Sequence, residues 1–379
     1  MLPDSYSGAL KLRTSLDTAA SDIKGMNRKI VYDLFLSKNE MSKSEISRET
    51  GISAPTVMKI VDYLKKFGCI KEIGKGRSSV GRRPNFLQFD PSAGYAIGVD
   101  FSGVEMKIGI VDFGYHLCCF EQFSTQSDFK QVLNHDFPLQ VRDLLEKSQI
   151  PHEKIRGICI GVPGVVNTVQ QTIELAPLVG IIEKQDYGVM ASRISDSLHM
   201  PVTFENDANV AAIGEFTARK YTAADDLLFI TIGKGLGAGI ILNGKLRKGG
   251  RAFAGELGYM VFSKEYQVKP DEAGWLEREI QLDSLRSEKE IDMDSLNNLA
   301  CNLALAIVNI CVPLEIGHVV LGRFKDDAFY RLLLQKINFY LRSLSTLGIT
   351  CEPPRCKEPA VLGGAHLIVE SVLDDLFGT

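Results

Sequence analysis

The sequence predicts a multidomain α+β protein, in which a small helical domain with a β-hairpin precedes a larger two-lobed α/β body. The length of 379 residues exceeds that of one ordinary domain and suggests two or three. Residues 1–90 combine short amphipathic helices with a basic hairpin. From Tyr95 onward strand patterns dominate, and one series of strands and tight turns occurs twice. This repetition indicates a duplicated fold with a cleft.

The net charge of −4 conceals a basic N-terminal region and an acidic remainder. Residues 1–90 contain 16 Lys and Arg against 10 Asp and Glu, whereas the remainder contains 27 against 37. This asymmetry suits a protein that meets a polyanion at one end only.

The sequence indicates neither export nor membrane insertion. No apolar run approaches the roughly 18 residues of a membrane span, and the N-terminus lacks the apolar stretch of a signal peptide. The eight cysteines are scattered, so we expect reduced thiols in a cytoplasmic protein without a membrane partner. Cys351, Cys356 and His366 could form part of a metal site, although their spacing favours a plain loop.

Residues 26–90 have the pattern of a winged helix-turn-helix, and residues 1–25 are predicted to form a tail or an extra helix. Ser42 and Glu45 make a capping box, in which each side chain can bond to the other residue's backbone amide. The helix that they start ends at Gly51, where a left-handed backbone costs little.

The next helix is predicted to read DNA. It begins with Ser53 as its cap, and its apolar residues make one buried stripe: Val57, Ile60, Val61, Leu64 and Phe67. The opposite face carries small or polar side chains that fit a major groove: Ser53, Ala54, Thr56 and Lys59. The hairpin that follows carries cations where phosphates or a minor groove would lie: Lys75, Arg77, Arg82 and Arg83. The alternative is a three-helix packing domain with a solvated basic loop, but the order of the features favours a double-stranded DNA operator as partner.

Residues 94–379 make up the predicted body. Tyr95–Asp100 begins an antiparallel series of strands, and Leu227–Ile232 begins a similar series. Ile155–Gly161 and Pro201–Glu205 are further predicted strands between them.

Short motifs of this body resemble those of the ROK family of repressors and sugar kinases. The matching segments stand in the order and spacing of the family: Gly94–Asp100, Gly161–Gly164, Glu205–Asn209 and Gly249–Gly258. Gly81–Pro84 is similar to the wing exit of the repressor branch. The resemblance runs from about Ser42 to the C-terminus and implies an actin-like ATPase fold, similar to that of sugar kinases, in a ligand-sensing domain.

The resemblance also implies a sugar site in the cleft. Its predicted ligands are Asn206, Asp207, Glu256 and Glu277, with Gly164 and Tyr259 beside them. Because a carboxylate at a strand end can accept a hydroxyl proton, Asp207 would be the catalytic base if kinase activity persists. The alternative is that Asn206 and Asp207 only cap the helix that starts near Ala208.

The residues that match the family's nucleotide site depart from its pattern. They are Asp100, Ser102 and Gly103 in a first turn and Gly233, Lys234 and Gly235 in a second. The first turn lacks a glycine and a hydroxyl of the kinase members, and Leu321–Phe324 replaces a glycine run. Lys234 could still meet a phosphate. Taken together, the changes argue against ATP and Mg²⁺ as cofactors.

The structural zinc site of the family is also altered. Where the family has a histidine and three cysteines, the matching stretch holds Tyr259, Val268–Pro270 and Trp275. Zinc prefers thiolate or imidazole ligands, so we expect no structural metal. Trp275 is predicted to fill the space.

These observations favour a transcriptional repressor of carbohydrate metabolism that senses a sugar or sugar phosphate without phosphorylating it. One alternative is an active ATP-dependent sugar kinase with a DNA-binding head. The other is a regulator that responds to a non-sugar effector. The resemblance implies a homodimer or a dimer of dimers.

Overall fold

A computed structural model describes residues 23–75, 85–102, 105–124, 129–176, 179–181, 183–233, 235–264, 274–280, 292–324 and 327–378. The chain divides into two units. The first comprises Met1–Tyr95, Asp112–His116 and Ile368–Thr379, and the second comprises Ala96–Val111 and Leu117–Leu367. The first unit therefore contains two segments from outside the predicted domain at 26–90, one of them at the C-terminal end of this chain.

The first unit contains the three helices and the hairpin strands that the sequence predicts. The helices are α1 (23–38), α2 (Lys43–Thr50) and α3 (Ala54–Lys66), and the strands are β1 (Glu40–Ser42), β2 (Ile70–Lys75) and β3 (Asn85–Phe89). The strands form an antiparallel sheet in the order β1-β3-β2. Arg77, Arg82, Arg83 and the side chain of Lys75 lie outside the described residues.

The sequence signals at the ends of α2 are confirmed. The Glu45 amide donates to Ser42 Oγ at 3.3 Å, and the Ser42 amide donates to Glu45 Oε2 at 2.8 Å. Gly51 then ends the helix with a left-handed backbone, φ +70°. The capping box therefore fixes where the helix-turn-helix begins.

Two predictions for α3 are wrong. Ser53 lies at the N-cap position, but its hydroxyl is bonded to Thr56 Oγ1 at 2.9 Å rather than to a backbone amide. Phe67 is 44% exposed because it follows the last helical residue, where the apolar stripe no longer faces the core. The rest of the stripe, Val57, Ile60, Val61 and Leu64, is buried.

The core of the first unit is completed by its two distant segments. Tyr32 is buried on α1, and its hydroxyl donates to the Phe113 carbonyl at 2.9 Å. Its ring lies 5.8 Å from that of Phe377, which is 1% exposed. Lys29 and Tyr115 both bond the carboxylate of Glu370, at 2.8 and 3.0 Å. Helical packing of residues 26–90 is therefore only part of this unit's stability.

The second unit contains the same sheet arrangement twice. The first sheet is built from β4 (Tyr95–Phe101), β5 (Glu105–Asp112), β6 (Leu117–Ser124), β7 (Ile155–Val162) and β11 (Val202–Asn206), in the order β6-β5-β4-β7-β11. The second is built from β12 (Leu227–Ile232), β13 (Leu236–Leu242), β14 (Lys245–Leu246), β15 (His318–Leu321) and β16 (Thr350–Glu352), in the order β14-β13-β12-β15-β16. Each begins with antiparallel strands and ends with a parallel pair, so the duplication predicted from the sequence is confirmed.

Short strands and helices complete this unit. A small antiparallel sheet contains β8 (Val165–Asn167), β9 (Thr172–Leu175) and β10 (Gln185–Asp186). The helices are α4 (Phe129–Gln131), α5 (Phe137–Ser148), α6 (Gly188–Leu198), α7 (Asp207–Arg219), α8 (Trp275–Glu279), α9 (Met293–Leu314), α10 (Asp327–Leu344) and α11 (Pro359–Phe377). Helix α7 contacts strands of both five-stranded sheets, so residues at its N-terminus lie where the two lobes meet.

Helix α9 is long and apolar enough to cross a membrane by length and composition. No such helix was expected from the sequence, because Asn298 and Asn302 interrupt the apolar runs. Half of its most apolar part is buried inside the protein. Leu296, Leu299, Leu303 and Ile307 are fully buried in the core formed with β12, β15 and α10, so α9 is a core helix of the second lobe.

Candidate functional site: the cleft and the helix-turn-helix

Asn206 and Asp207, at the start of α7, have different roles: the first stabilises the helix end, and the second faces a cavity. Asn206 ends β11 and caps α7, since its Oδ1 accepts the Asn209 amide at 2.9 Å. Its Nδ2 donates to the Gly164 carbonyl at 2.8 Å. Capping, the alternative that we set beside sugar binding, is therefore real for Asn206. Asp207 accepts the Ala208 amide at 2.8 Å through Oδ1 and lines a cavity.

Gly164 owes its place in the site to its backbone. Its φ of +118° is a conformation that only glycine adopts readily, and a Cβ there would lie 2.3 Å from the Leu175 carbonyl oxygen. The strand pair β8 and β9 thus approaches the Asn206 amide closely. A side chain at position 164 would displace that contact.

Partly buried carboxyl groups with raised pKa values extend through the cleft. Burial and the nearby charge of Asp100 raise the pKa of Asp207 to about 7. Burial raises the pKa of Asp100 to about 6, although Lys107 opposes the shift. Burial, Asp207 and Glu277 raise the pKa of Glu256 to about 7. These carboxyl groups can therefore change protonation near neutral pH when a ligand binds.

Glu277 and Tyr259 stand beside Glu256. Glu277 Oε1 accepts the Leu236 amide at 2.7 Å, so this carboxylate holds the turn before β13. Burial, together with Glu256 and Glu277, raises the pKa of the Tyr259 hydroxyl, and the residue is 37% exposed. One Glu277 oxygen is thus committed to the fold. We predict that only the other oxygen is available to a ligand.

A cavity of about 180 Å³ lies on the Asp100 side of Asp207. Its charged lining residues are Asp100, Asp207, Glu358, Lys107, Arg323 and Lys357. Lys107 is paired with Glu358 at 3.0 Å, which leaves fewer free cations than the lining suggests. The fold family implies a nucleotide here, but pockets for small molecules usually enclose about 300–1,000 Å³. The cavity that the described residues line is smaller than that range, and we assign no reaction step to a nucleotide.

The turns that match the phosphate loops close on themselves. The Ser102 amide and hydroxyl both donate to the Glu105 carbonyl, at 2.9 and 3.2 Å. The Gly233 amide donates to the Gly235 carbonyl at 2.9 Å. These donors are therefore engaged within their own turns. Gly103 and Lys234 lie outside the described residues.

The donor set for structural zinc does not fit that metal. Tyr259 and Trp275 lack thiolate and imidazole groups, and Val268–Pro270 lie outside the described residues. Within the part of the chain that the structure describes, no group of three or more His, Cys, Asp or Glu side chains could hold a metal. The Trp275 ring packs edge-on against Phe262, with ring centroids 5.6 Å apart.

The face of α3 that we predict to meet DNA is accessible. Ser53, Ala54 and Lys59 are exposed and Thr56 is half-buried. Met58, which the sequence analysis did not single out, is 51% exposed on the same helix. Met58 could have been found from the sequence as a large aliphatic residue of α3 that falls outside the buried stripe.

Three charged residues of the cleft were also not predicted from the sequence: Lys107, Lys248 and Glu358. Lys107 and Glu358 form the ion pair in the cavity wall. Lys248 bonds Glu205, which directly precedes Asn206. No local signal pairs these residues, because each partner lies on a different element.

The chain combines a winged helix-turn-helix with a two-lobed body that contains a polar cleft. Residues 96–272 match the ROK family, so this part of the chain is a ROK family domain. A xylose repressor of Caldicellulosiruptor bescii is 32% identical over 249 residues, which are 65% of this chain and 61% of the relative. The xylose repressor of Bacillus subtilis is 30% identical over 241 residues, 63% of this chain and 61% of the relative. The match thus spans less than two thirds of these relatives.

Solved structures establish the fold. A ROK family transcriptional regulator, a homologue of the MLC protein of E. coli, superposes with a TM-score of 0.74 at 19% identity, covering 94% of this chain and 98% of that one. A ROK glucokinase of Streptomyces griseus gives 0.57 at 20% identity, covering 72% and 99%. The predicted fold class, a winged helix-turn-helix with an actin-like two-lobed body, is confirmed.

The raised pKa of Asp207 makes a prediction about stability. We expect Asp207→Asn to stabilise the unliganded protein, and to do so more at pH 8 than at pH 5. The folded pKa of about 7 lies above the ordinary value of 3.8, so the wild type loses stability as pH rises between these values. Each pKa unit corresponds to about 1.4 kcal/mol. Coupling to Asp100 reduces the effect, and we expect a gain of about 1–3 kcal/mol at pH 8.

Urea unfolding at both pH values measures this difference. Asp136→Asn, a change at an exposed aspartate of the same unit, is the matched control. An equal gain at pH 5 and pH 8 would show that Asp207 is ionised without penalty in the folded protein.

Proposed function

We propose that this protein is a DNA-binding transcriptional repressor of carbohydrate metabolism, which responds to a sugar and does not phosphorylate it. The observation that carries the proposal is the combination in one chain of an exposed polar face on α3 with a cleft of unneutralised carboxyl groups. Asp207 and Glu256 can each accept a hydrogen bond from a sugar hydroxyl. The relatives named xylose repressor support D-xylose as the first effector to test.

The proposal includes partners and location. The partners are a double-stranded operator, a sugar or sugar phosphate, and a second copy of this chain, since two-fold operators are read by dimers. The protein acts in the cytoplasm, where DNA and the metabolite meet. We propose neither ATP with Mg²⁺ nor zinc as a cofactor.

A sugar kinase with a DNA-binding head is the second candidate. Asp207 favours it, because a pKa of about 7 suits a general base at neutral pH. A glucokinase of Streptomyces coelicolor is 29% identical over 167 residues. ATP-dependent phosphorylation of D-glucose or D-xylose that is lost in Asp207→Asn would decide for this function.

The repressor function is tested by DNA selection followed by release. Duplexes bound by the protein are selected from a randomised library, and the affinity for the selected duplex is measured with and without D-xylose, D-glucose and their phosphates. A sugar-dependent change of about 5- to 150-fold, the usual range of allosteric coupling, supports the proposal. No selected sequence, or no effect of any sugar, contradicts it.

Glu256→Ala is predicted to abolish the sugar response while DNA affinity without sugar stays unchanged. A hydrogen bond to a charged group contributes about 1.5–3 kcal/mol, so the sugar affinity should fall about 10- to 150-fold. Calorimetric titration with the responding sugar measures the loss. Glu279→Ala, in the exposed part of α8, serves as the control. An unchanged sugar affinity would remove Glu256 from the site.

A further inference from the structure

Lys248 connects the two lobes beside the cleft. It follows β14 of the second sheet, and its Nζ lies 2.5 Å from Oε2 of Glu205. The same Nζ donates to Thr168 Oγ1 at 3.1 Å. Glu205 belongs to β11 of the first sheet, and Thr168 follows β8 of the small sheet. One ammonium group thus bonds two segments of the opposite lobe.

Glu205 is an unusual partner because it is buried. Its side chain is 1% exposed, whereas that of Lys248 is 33% exposed. Burial of a carboxylate without a partner is costly, and removal of one member of such a pair is strongly destabilising. The bond to Lys248 therefore offsets the cost of burying the Glu205 carboxylate.

Glu205 in turn orients the residues that we place in the sugar site. Its Oε1 accepts the Asn206 amide and Asn209 Nδ2, both at 3.0 Å. Asn209 Oδ1 is buried and has no hydrogen-bond partner among the described residues, so its side chain is held through Glu205. Glu205 therefore adds two hydrogen bonds to the first turn of α7, which carries Asp207, beside those that Asn206 and Asp207 make themselves.

Lys248 also begins the loop that ends at Glu256. The Ala254 amide donates to the Lys248 carbonyl at 3.2 Å, and the Leu257 amide donates to the Gly255 carbonyl at 2.8 Å. The loop is therefore hydrogen-bonded to the backbone of Lys248, and the side chain of the same lysine bonds to the other lobe. Movement of Lys248 away from Glu205 would carry the Glu256 loop with it.

We propose that Lys248 is a positioning residue of the sugar cleft. Its ion pair with Glu205 and its bond to Thr168 hold the Glu256 loop in register with Asn206 and Asp207. The hydroxyl-binding groups of the two lobes are then arranged before a ligand arrives, which lowers the ordering cost of binding. The inference rests on the proposed function for the identity of the ligand, but the contacts that carry it are present without one.

The test uses the full chain without ligand. In Lys248→Met, hydrogen exchange of the Ala254 and Leu257 amides should become about 10-fold faster, because the loop opens more often. Exchange in α3 should not change. Lys248→Arg should restore slow exchange, and Lys245→Met, a change at an exposed lysine of β14, should leave it unaltered. Equal exchange in Lys248→Met and wild type would overturn the proposal.

Glu205→Gln separates positioning from general stability. In the double variant Lys248→Met with Glu205→Gln, thermal stability should recover because no buried charge remains, whereas loop exchange should stay fast. If exchange recovers together with stability, Lys248 acts only by neutralising Glu205, and the positioning role is wrong.

D-xylose titration provides the functional outcome. Lys248→Met should weaken xylose binding about 10-fold, a loss of about 1.4 kcal/mol, and leave DNA affinity without sugar unchanged. If xylose fails to bind the wild type, the proposed effector is wrong, while the exchange measurement still decides the role of Lys248.

Discussion

Alanine at position 98 is expected to prevent the second unit from folding. A Cβ on Gly98 would lie 1.8 Å from the Val361 carbonyl oxygen and 2.9 Å from the Ala365 amide nitrogen. Both atoms belong to the backbone of α11, so no side-chain rotation relieves the clash. Gly98 lies in β4, which carries Asp100, and the strand and helix would have to separate.

The expected cost exceeds that of ordinary overpacking, which is about 1–3 kcal/mol. A whole helix must shift, and we expect more than about 4 kcal/mol, at the upper end of single substitutions. Soluble yield and urea unfolding measure the effect. Gly363→Ala is an independent test, since its Cβ would lie 1.7 Å from the Val210 carbonyl oxygen in α7.

Gly317→Ala is the matched control for these changes. No atom lies within 4 Å of a Cβ at this position, and its backbone is not left-handed. We expect normal yield and stability. If Gly98→Ala unfolds at the same urea concentration as Gly317→Ala, α11 does not approach β4 as closely as described.

The local features of the fold could be predicted from the sequence. Ser42 and Glu45 make their capping box from residues within one turn, and Gly51 ends the helix through its own backbone freedom. The two series of strands were visible because alternation and turn residues act over a few positions. The two five-stranded sheets have the same strand order, as expected if two similar series of strands and turns fold in the same way.

Long-range pairs could not be predicted in this way. Lys248 and Glu205 are separated by 43 positions and meet only because two lobes close on α7. Periodicity shows which face of an element is apolar, but it does not name the element opposite that face. The error at Ser53 has the same origin on a smaller scale, because Thr56 competes with the backbone for its hydroxyl.

The candidate site was predicted only through motif resemblance. Asn206, Asp207 and Glu256 lie in motifs, and the structure places Asp207 close enough to Glu256 for its charge to help raise the pKa of Glu256. The bond from Glu277 to Leu236 had no signal in the sequence. A motif identifies residues that share a region, whereas hydrogen-bond partners decide which atoms stay available.

The end of the chain gives the second large expected effect, because α11 supplies part of the core of the first unit. Phe377 is 1% exposed and packs against Tyr32. The backbone carbonyls of Leu376 and Phe377 also accept hydrogen bonds from side chains on the helices of this unit. Arg28 Nη1 donates to Leu376 and Phe377 at 3.4 and 3.2 Å, and the Tyr63 hydroxyl of α3 donates to Leu376. These carbonyls end a helix and would otherwise lack partners.

Phe377→Ala is therefore expected to destabilise the first unit by about 3–5 kcal/mol, the usual cost of truncating a buried phenylalanine. Binding to the selected duplex should weaken strongly, because α3 loses the helix end that holds Tyr63. Hydrogen exchange should quicken in α1 and α3 but not in β12 or α9. Asp375→Ala, a change at an exposed neighbour on the same helix, should alter neither exchange nor DNA affinity. Unchanged DNA affinity in Phe377→Ala would mean that residues 26–90 bind DNA without the C-terminal helix.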